Sequence, residues 1–253
     1  QVKKMEEILE RPLFVRDSRS VTLTEDGERV LAHARRMLAM NQDLMGEFHQ
    51  QHLQGTVRLG IPDDMAERFL PDMLCRFSKT HPGVNVNAVV ANTEPMLNMI
   101  AERRLDIALI SRLPAQRAER PCEVLWCEQL VWAGCKGGIA HEKMPMPVSV
   151  WDETCAWRKA GLEGLEKSGR PYRIALESGH LNGQKAAILA DLAVAPIPES
   201  ALGGCVVRIP DSFGLPKLPS YELGMITRED LPCQAEAAAD HLRAAFANEM
   251  LAA

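Results

Sequence analysis

A chain of 253 residues, 46% hydrophobic and 25% charged, holds one large or two ordinary globular domains with ample core. A formal net charge of −5 excludes a protein that is basic overall, so any nucleic-acid contact has to be local; even residues 1 to 54 carry eight Lys and Arg against nine Asp and Glu. No apolar run approaches the ~18 residues that cross a bilayer, no secretory leader pattern stands at the front, and the seven cysteines (Cys75, Cys122, Cys127, Cys135, Cys155, Cys205, Cys233) are odd in number, scattered and never spaced CxxC. Reduced thiols, a cytoplasmic location and no membrane partner are the expectation.

Residues 1 to 10 place Val2, Met5, Ile8 and Leu9 on one helical face and Lys3, Lys4 and Glu7 on the other, and Pro12 stops the helix. Leu13 to Arg16 and Ser20 to Leu23 are short strands around the polar hairpin Asp17-Ser18-Arg19. Thr24 is the N-cap of a long helix whose first turn carries Glu25, Asp26 and Glu28 at the positive end of the dipole. From there to Leu53 no proline intervenes. Val30, Ala34, Met37, Asn41, Leu44 and Phe48 recur at spacings of four and three, with Leu31, Leu38 and Met45 widening the apolar face. A helix packed on its own core competes with a paired one, but roughly 28 residues span ~42 Å, too long for one small domain, so a dimer seam at Val30, Met37, Leu44 and Phe48 is expected.

Helix, hairpin, long helix is the order of a winged helix-turn-helix lacking its front half. Met5-Glu6, Pro12-Leu13-Phe14-Val15-Arg16, Arg19 and Leu23-Thr24-Glu25-Asp26-Gly27 resemble, almost position for position, the DNA-binding region of the LysR-type transcriptional regulators. The resemblance is specific over about the first 40 residues and follows the family's layout more loosely beyond. It implies a double-stranded DNA operator as partner, with Gln1, Lys3 and Lys4 near the start of a major-groove helix and Arg16 and Arg19 on the wing reaching phosphate or minor groove. Because Gln1 opens directly into a helical pattern, further residues are expected upstream, and this piece by itself is not expected to read an operator.

After Leu53 the composition changes. Thr56 to Ile61 alternates as a strand, Met65 to Ser78 is helical with Phe69, Leu70, Met73, Leu74 and Phe77 on one face, and His81-Pro82-Gly83 turns the chain into the strand Val84 to Val90. Asn92-Thr93-Glu94 opens the next helix, and Asp106 to Ile110 is a third strand. Such alternation implies a parallel sheet with right-handed crossovers. Val124 to Gly134 is long for one strand and suits a crossing between two sheets. The loose Cys135 to Gly138 turn and a proline-rich Met144 to Val148 follow. A second alternation comes next: helix Glu153 to Lys167, strand Tyr172 to Glu177, helix Gly183 to Ala190, and strands Leu192 to Pro198 and Val206 to Ile209. Tyr221 to Thr227 is the return crossing and Glu236 to Leu251 a terminal helix.

The fold class expected is therefore α/β: a two-lobed effector domain like the type 2 periplasmic binding proteins, preceded by a truncated winged helix and a long linker helix. Residues 1–24 form the winged-helix remnant, 25–54 the linker, and 55–253 the effector domain, with lobe I at about 55–128 and 222–253 and lobe II at about 129–221. In the second lobe the family usually carries Gly-Leu-Gly where Asp191-Leu192-Ala193 stands here, which puts that loop's backbone in question.

Chemistry for catalysis is sparse. No GxGxxG, Walker loop, GxSxG or HExxH occurs, the seven histidines are dispersed, and no metal or cofactor is expected. His49 and His52 lie i, i+3 without a third ligand nearby and read as a solvated face. Cys127 and Cys135 are weighed as a redox pair against buried inert cysteines, the commoner case, and Trp157-Arg158 as an aromatic core contact with a surface arginine. Free space in such a module lies between the lobes, where strand ends and helix N-termini converge. The convergent residues are Asp63, Asp64, Asn92, Thr93, His180, Asn182 and Gly183, with Trp132 as a wall. Thr93 falls where the family's effector-contacting threonine sits, and the two aspartates disfavour a dicarboxylate and favour a neutral or amine-bearing small molecule, unless both point to solvent. The function expected is a ligand-responsive transcriptional regulator, not an enzyme, dimeric or tetrameric, with RNA polymerase admitted as a further partner. The alternative is a transporter's solute-binding protein, which shares the fold but needs no wing or long helix in front.

Overall fold

Chain direction at the front of the molecule is set by one carboxylate and one hydroxyl. The computed structural model describes residues 2–17, 20–48 and 53–249. Helix α1 (Val2–Leu9) ends before Pro12, and the Glu6 carboxylate accepts the amides of Leu13 (2.7 Å) and Phe14 (3.3 Å), fixing the entry into β1 (Phe14–Asp17). Strand β2 (Ser20–Leu23) pairs with it antiparallel, Phe14 opposite Leu23. The Thr24 hydroxyl donates to the Pro12 carbonyl (2.7 Å) and accepts the Gly27 amide (2.9 Å), so it caps helix α2 (Glu25–Phe48) as its sequence position foretells. A Cβ on Gly27 would stand 2.1 Å from the Leu13 carbonyl oxygen, so glycine is a steric requirement of this Thr-Glu-Asp-Gly turn.

Lobe I is a sheet in the order β4-β3-β5-β11-β6, built from β3 (Gly55–Ile61), β4 (Val84–Val90), β5 (Ile107–Arg112), β11 (Ser220–Thr227) and the first half of β6 (Glu123–Cys135). β3 runs parallel to β4 and β5, and β11 runs antiparallel to β5 and β6. Helix α3 (Asp63–Thr80) buries Met65, Phe69, Met73 and Phe77, a row with a period of four. Each such side chain contributes about 1.5–3 kcal/mol on leaving water. Helix α7 (Cys233–Glu249) lies beside α3, its Phe246 ring 4.9 Å from Phe69, and α2 runs along α7.

Strand β6 carries the chain from one lobe to the other. Residues Glu123 to Gln129 pair with β11, while Leu130 to Ala133 pair with β9 (Ala195–Pro198) and Ala133 to Cys135 with β10 (Val206–Arg208). At the changeover the Gln129 side-chain amide donates to the carbonyls of Leu130 (2.8 Å) and Leu218 (2.6 Å), tying the outgoing strand to the returning chain. Lobe II adds the parallel pair β7 (Met146–Val150) and β8 (Tyr172–Glu177), helix α5 (Ala156–Lys167) and helix α6 (Leu181–Leu189).

Three readings of lobe II are corrected. The proline-rich stretch Met144 to Val148, to which the sequence pattern assigns no element, runs into β7, all of whose residues are buried. Pro147 is tolerated because the strand uses its carbonyl, which accepts the Val194 amide at 3.0 Å. Helix α5 starts at Ala156 rather than Glu153, because Asp152 turns the chain first by accepting the Thr154 amide (3.1 Å) and hydroxyl (2.7 Å). The strand expected from Leu192 is confined to Ala195–Pro198. Asp191 before it is left-handed at φ 49°, a conformation aspartate tolerates better than most residues, so it can stand where the family resemblance leads one to expect glycine. Its carboxylate accepts the amides of Ile139 and Ala140, both at 3.0 Å. Desolvation opposes ionisation there, but these two bonds win and hold the group below the usual carboxylate range.

Candidate functional site

A narrow cleft, about 40 Å³ by the space that the centre of a water molecule can occupy, lies between the lobes. Lobe I supplies Pro62, Asp63 and Asp64 where β3 runs into α3, Asn92 and Thr93 where α4 (Thr93–Ala101) begins, and Ser111 from β5. Lobe II supplies Trp151, Thr154, Cys155, Ala156 and Trp157, the turn from β7 into α5. Each contribution comes from the carboxyl end of a strand followed by a helix N-terminus, where first-turn amides have no partner inside their helix.

The lobes touch at two points beside the cleft. The Asp63 carboxylate accepts the Leu181 amide (2.9 Å) and stands 3.4 Å from His180 Nδ1, and the Asn92 side-chain amide donates to the Asp152 carboxylate. Within the lining Trp151 and Trp157 pack edge to face at 4.8 Å, and behind it Trp157 meets Tyr221 at 4.9 Å.

Thr93 binds the backbone of Ser111: its hydroxyl accepts the Ser111 amide (3.2 Å) and donates to the Ser111 carbonyl (3.3 Å), so it pins α4 to the end of β5. Asn92 holds the N-cap position of α4 without a side-chain cap bond, its amide being spent across the cleft. Of the residues singled out from sequence, Asp63, Asp64, Asn92 and Thr93 line the cleft and His180 meets it through Asp63. Asn182 is exposed on α6, and Gly183 sits where a Cβ would come 2.2 Å from the Ser178 hydroxyl. Trp132 is buried beneath α5 with its indole N–H donated to the Pro216 carbonyl (3.0 Å), away from the lining.

Sequence reasoning missed the lobe II wall. Trp151 to Trp157 went unrecognised because β7 was not seen as a strand, so its end was not sought. The available signal was the repeated order of strand, Asp or Thr turn, then helix at Ile61 to Met65 and at Val150 to Trp157.

Polar satisfaction within the lining is incomplete. Asp64 Oδ2, Ser111 Oγ and Trp157 Nε1 are buried without a hydrogen-bond partner. Burial pushes the Asp64 carboxyl up to about 7, and the neighbouring carboxylates of Asp63 and Glu128 add to the rise against bonds from backbone amides. The Cys155 thiol at the start of α5 is likewise pushed up to about 12 by burial, so it is not a nucleophile at neutral pH.

Elsewhere, lobe I is threaded by buried ion pairs. Arg112 donates to Glu222 at 2.9 Å with both side chains enclosed, and Arg117 bonds the same carboxylate; these bonds, that of Arg117 first, hold Glu222 below its ordinary range. Cys127 and Cys135 lie eight residues apart on β6, ~26 Å along an extended strand, so they cannot form a disulfide with each other, and all seven cysteines are free. Lys3 and Lys4 are exposed on α1, and the backbone of Arg16 lies in β1. Gln1, Arg19, His49 and His52 fall outside the described residues, as do the side chains of Leu44 and Phe48. On α2, Val30 is half-buried and Met37 is 72% exposed. Among the described residues no helix is long and apolar enough to cross a membrane.

Residues 50–247 match the LysR substrate binding domain family. The HTH-type transcriptional regulator DgdR of Burkholderia cepacia is 35% identical over 245 residues, covering 96% of this chain and 82% of that protein. PecT of Dickeya dadantii, another HTH-type transcriptional regulator, is 24% identical over 87% of this chain and 68% of its own length. Among solved structures, CrgA, a LysR-type regulator from Neisseria meningitidis, superposes over the whole chain and 88% of its own length with a TM-score of 0.68 at 18% identity. The effector binding domain of QuiR in complex with shikimate covers 75% of this chain and 96% of its own, with a TM-score of 0.60 at 13% identity. These two likenesses concern the fold.

Proposed function

The chain belongs to the LysR-type transcriptional regulators, and from that premise we propose that its effector is a small molecule held in the cleft between Asp64 and Trp157. Such regulators bind DNA and small effectors and assemble into oligomers. The observation that carries it is the convergence, at one cleft, of three helix N-termini and three buried polar atoms without partners. Unpaired buried polar groups are costly, and a ligand that satisfies them binds with that cost relieved. The neighbour domain whose structure holds shikimate supports the use of this fold for a small polar molecule. Closing the cleft on a ligand would shift the contacts Asp63 makes with Leu181 and Asn92 with Asp152, and through β6 and β11 the attitude of lobe II against the rest of the chain.

At the DNA end, Lys3, Lys4 and Arg16, with Gln1 and Arg19, are assigned to the operator, Arg16 and Arg19 to its backbone. The α2 row Val30, Met37, Leu44 and Phe48 is assigned to a dimer seam, which the exposure of Met37 supports. The work of such a protein is cytoplasmic regulation without catalysis. The relatives with regulator names, together with the wing and long helix, favour this over a transporter's binding protein.

A thermal-shift screen of small metabolites tests the cleft. A ligand at a hundredfold its dissociation constant stabilises the fold by ~2.7 kcal/mol. Thr154→Trp, an exposed position at the mouth, should abolish the shift without unfolding the protein. A hit that raises both melting temperatures equally places the effector elsewhere. For the DNA assignment, Arg16→Ala and Arg19→Ala, in a form bearing the whole helix-turn-helix, should each lower the salt slope of binding by about one unit on every sequence. An altered base preference with the slope intact would count against backbone contacts.

A further inference from the structure

The cleft is lopsided in charge. Its ionisable lining residues are Asp63, Asp64 and Cys155, and no lysine, arginine or histidine lines it. The structure also separates the two aspartates that the sequence presents as a pair. Asp63 is engaged across the lobes with Leu181 and His180. Asp64 is only 9% exposed, and its Oδ2 has no partner.

The ionisable groups whose charge bears on Asp64 are mostly acidic. Asp63 lies next to it on α3, Glu128 comes from β6, Tyr221 from β11 and the Cys155 thiol from the start of α5. The nearby cation, Arg68, is laid over the rings of Phe69 (4.8 Å) and Trp126 (5.8 Å), and Asp64 Oδ2 remains without a hydrogen bond. The unpartnered atoms of the lining are complementary in kind: a carboxylate oxygen that accepts, a Ser111 hydroxyl that does either, and a Trp157 indole N–H that only donates.

Resting on the reading of this cleft as the effector site, we propose that its ligand is a small zwitterion whose primary ammonium sits on Asp64 and whose carboxylate takes the Trp157 indole N–H. An ammonium is a donor with three N–H groups and a positive charge, the kind of group that the unpartnered Asp64 Oδ2 lacks and that Ser111 Oγ accepts. The N-terminus of α4 opens on the same lining as the indole and favours an anion there. A dicarboxylate would meet two aspartates and no cation, and a neutral polyol would leave the carboxylate of Asp64 without a counter-charge.

Binding is linked to pH in a direction particular to this arrangement. The Asp64 carboxyl, held up to about 7 in the free protein, must give up its proton to receive an ammonium. Affinity therefore rises with pH between 6 and 8, by at most about tenfold per unit below that pKa, and a proton is released on binding. A ligand held instead through a protonated Asp64, such as a simple carboxylate, binds with the opposite slope.

Isothermal titration of the protein with each of the twenty common L-amino acids at pH 6, 7 and 8 is the experiment, in two buffers of different ionisation enthalpy to count protons. Every amino acid that binds is repeated as the amine lacking its carboxylate and as the acid lacking its ammonium. The expected result is binding by one or more amino acids, at least tenfold weaker binding by the amine and none by the acid, with affinity rising with pH. Asp64→Asn should weaken binding a hundredfold or more and flatten the pH dependence. Should that variant fail to fold, the pH slope and proton count of the wild type still decide. The proposal is overturned if affinity falls with pH, if the acid matches the amino acid, or if folded Asp64→Asn binds as well as wild type. It is equally overturned if a metabolite without a primary amine shifts the wild type and not Thr154→Trp while no amino acid binds, a result that leaves the cleft reading intact. If nothing, amine or not, shows Thr154→Trp-sensitive binding, the cleft reading fails with it.

Discussion

The two lobes reach the same cleft by different chemistry. Lobe I is held by buried charge: Asp106, 1% exposed, is bound by Arg58 at 2.7 and 2.9 Å with Arg228 at 3.3 Å, and Glu222 is bound by Arg112 and Arg117. In lobe II the fully enclosed polar side chains, Ser149 and Gln184, are neutral, and its charged groups lie nearer the surface. Gln184, fully enclosed on α6, accepts the Ser149 hydroxyl and donates to the carbonyls of Val150 and Ser178, both at 2.8 Å, while Trp151 donates its indole N–H to Pro196 at 3.2 Å. The difference carries into the cleft, where lobe I presents carboxylates and lobe II presents indoles. A lobe whose polar core is ionic can be loosened by pH. One built on amides and aromatics serves as the fixed wall.

This contrast can be broken from either side. The largest effect is expected from Arg112→Met, which takes from Glu222 its enclosed partner and leaves it only Arg117, whose side chain is largely exposed. Removing one member of a buried pair costs about 3–5 kcal/mol, read as a lower midpoint in urea. Asp64→Asn should act in the other direction. The folded-state pKa of about 7 lies above the ordinary 3.8, so the unfolded chain releases this proton first and the wild type loses stability as pH rises from about 4 to about 7. At roughly 1.36 kcal/mol per unit the asparagine variant gains up to about 4 kcal/mol at pH 8 and nothing at pH 3. Melting curves across that range check it, and equal slopes for both proteins would show that Asp64 is not enclosed as described.

In lobe II, Gln184→Leu takes their partner from the Ser178 carbonyl and the Ser149 hydroxyl, while the Val150 carbonyl keeps the Ser178 amide, and should cost about 2 kcal/mol, with no dependence on pH between 4 and 8. A pH-dependent loss there would erase the distinction between the lobes. The smallest effect belongs to the contact that joins them: His180 is largely exposed, and His180→Ala should change the melting free energy by less than about 1 kcal/mol.

The same contrast explains what was legible beforehand. Lobe I strands alternate or run apolar between plain turn signals, so β3, β4 and β5 and the loops after β3 and β4 were found from pattern alone. In lobe II the strand that matters most, β7, begins beside Pro145 and contains Pro147, and no local rule sees that a proline can serve a sheet through its carbonyl. Trp157 was read as a core aromatic, which it is, but its unpaired N–H is a property of three-dimensional packing that no spacing reveals. Trp132 was placed at the cleft because it lies on the crossing strand; which side of a strand faces a cleft depends on the sheet's twist and register rather than on position along it. The motif from Glu6 to Gly27 is legible because three of its residues answer local demands: Glu6 and Thr24 satisfy named backbone groups, and Gly27 makes room for one.

The account stands or falls on what occupies the cleft. A crystal structure of the protein grown with the metabolite that most raises its melting temperature is the most direct measurement. The account predicts density between the lobes, with a cationic nitrogen at hydrogen-bond distance from Asp64 Oδ2 and an acceptor on Trp157 Nε1. Density for that metabolite at any other place, with Asp64 and Trp157 still unpartnered, would contradict it.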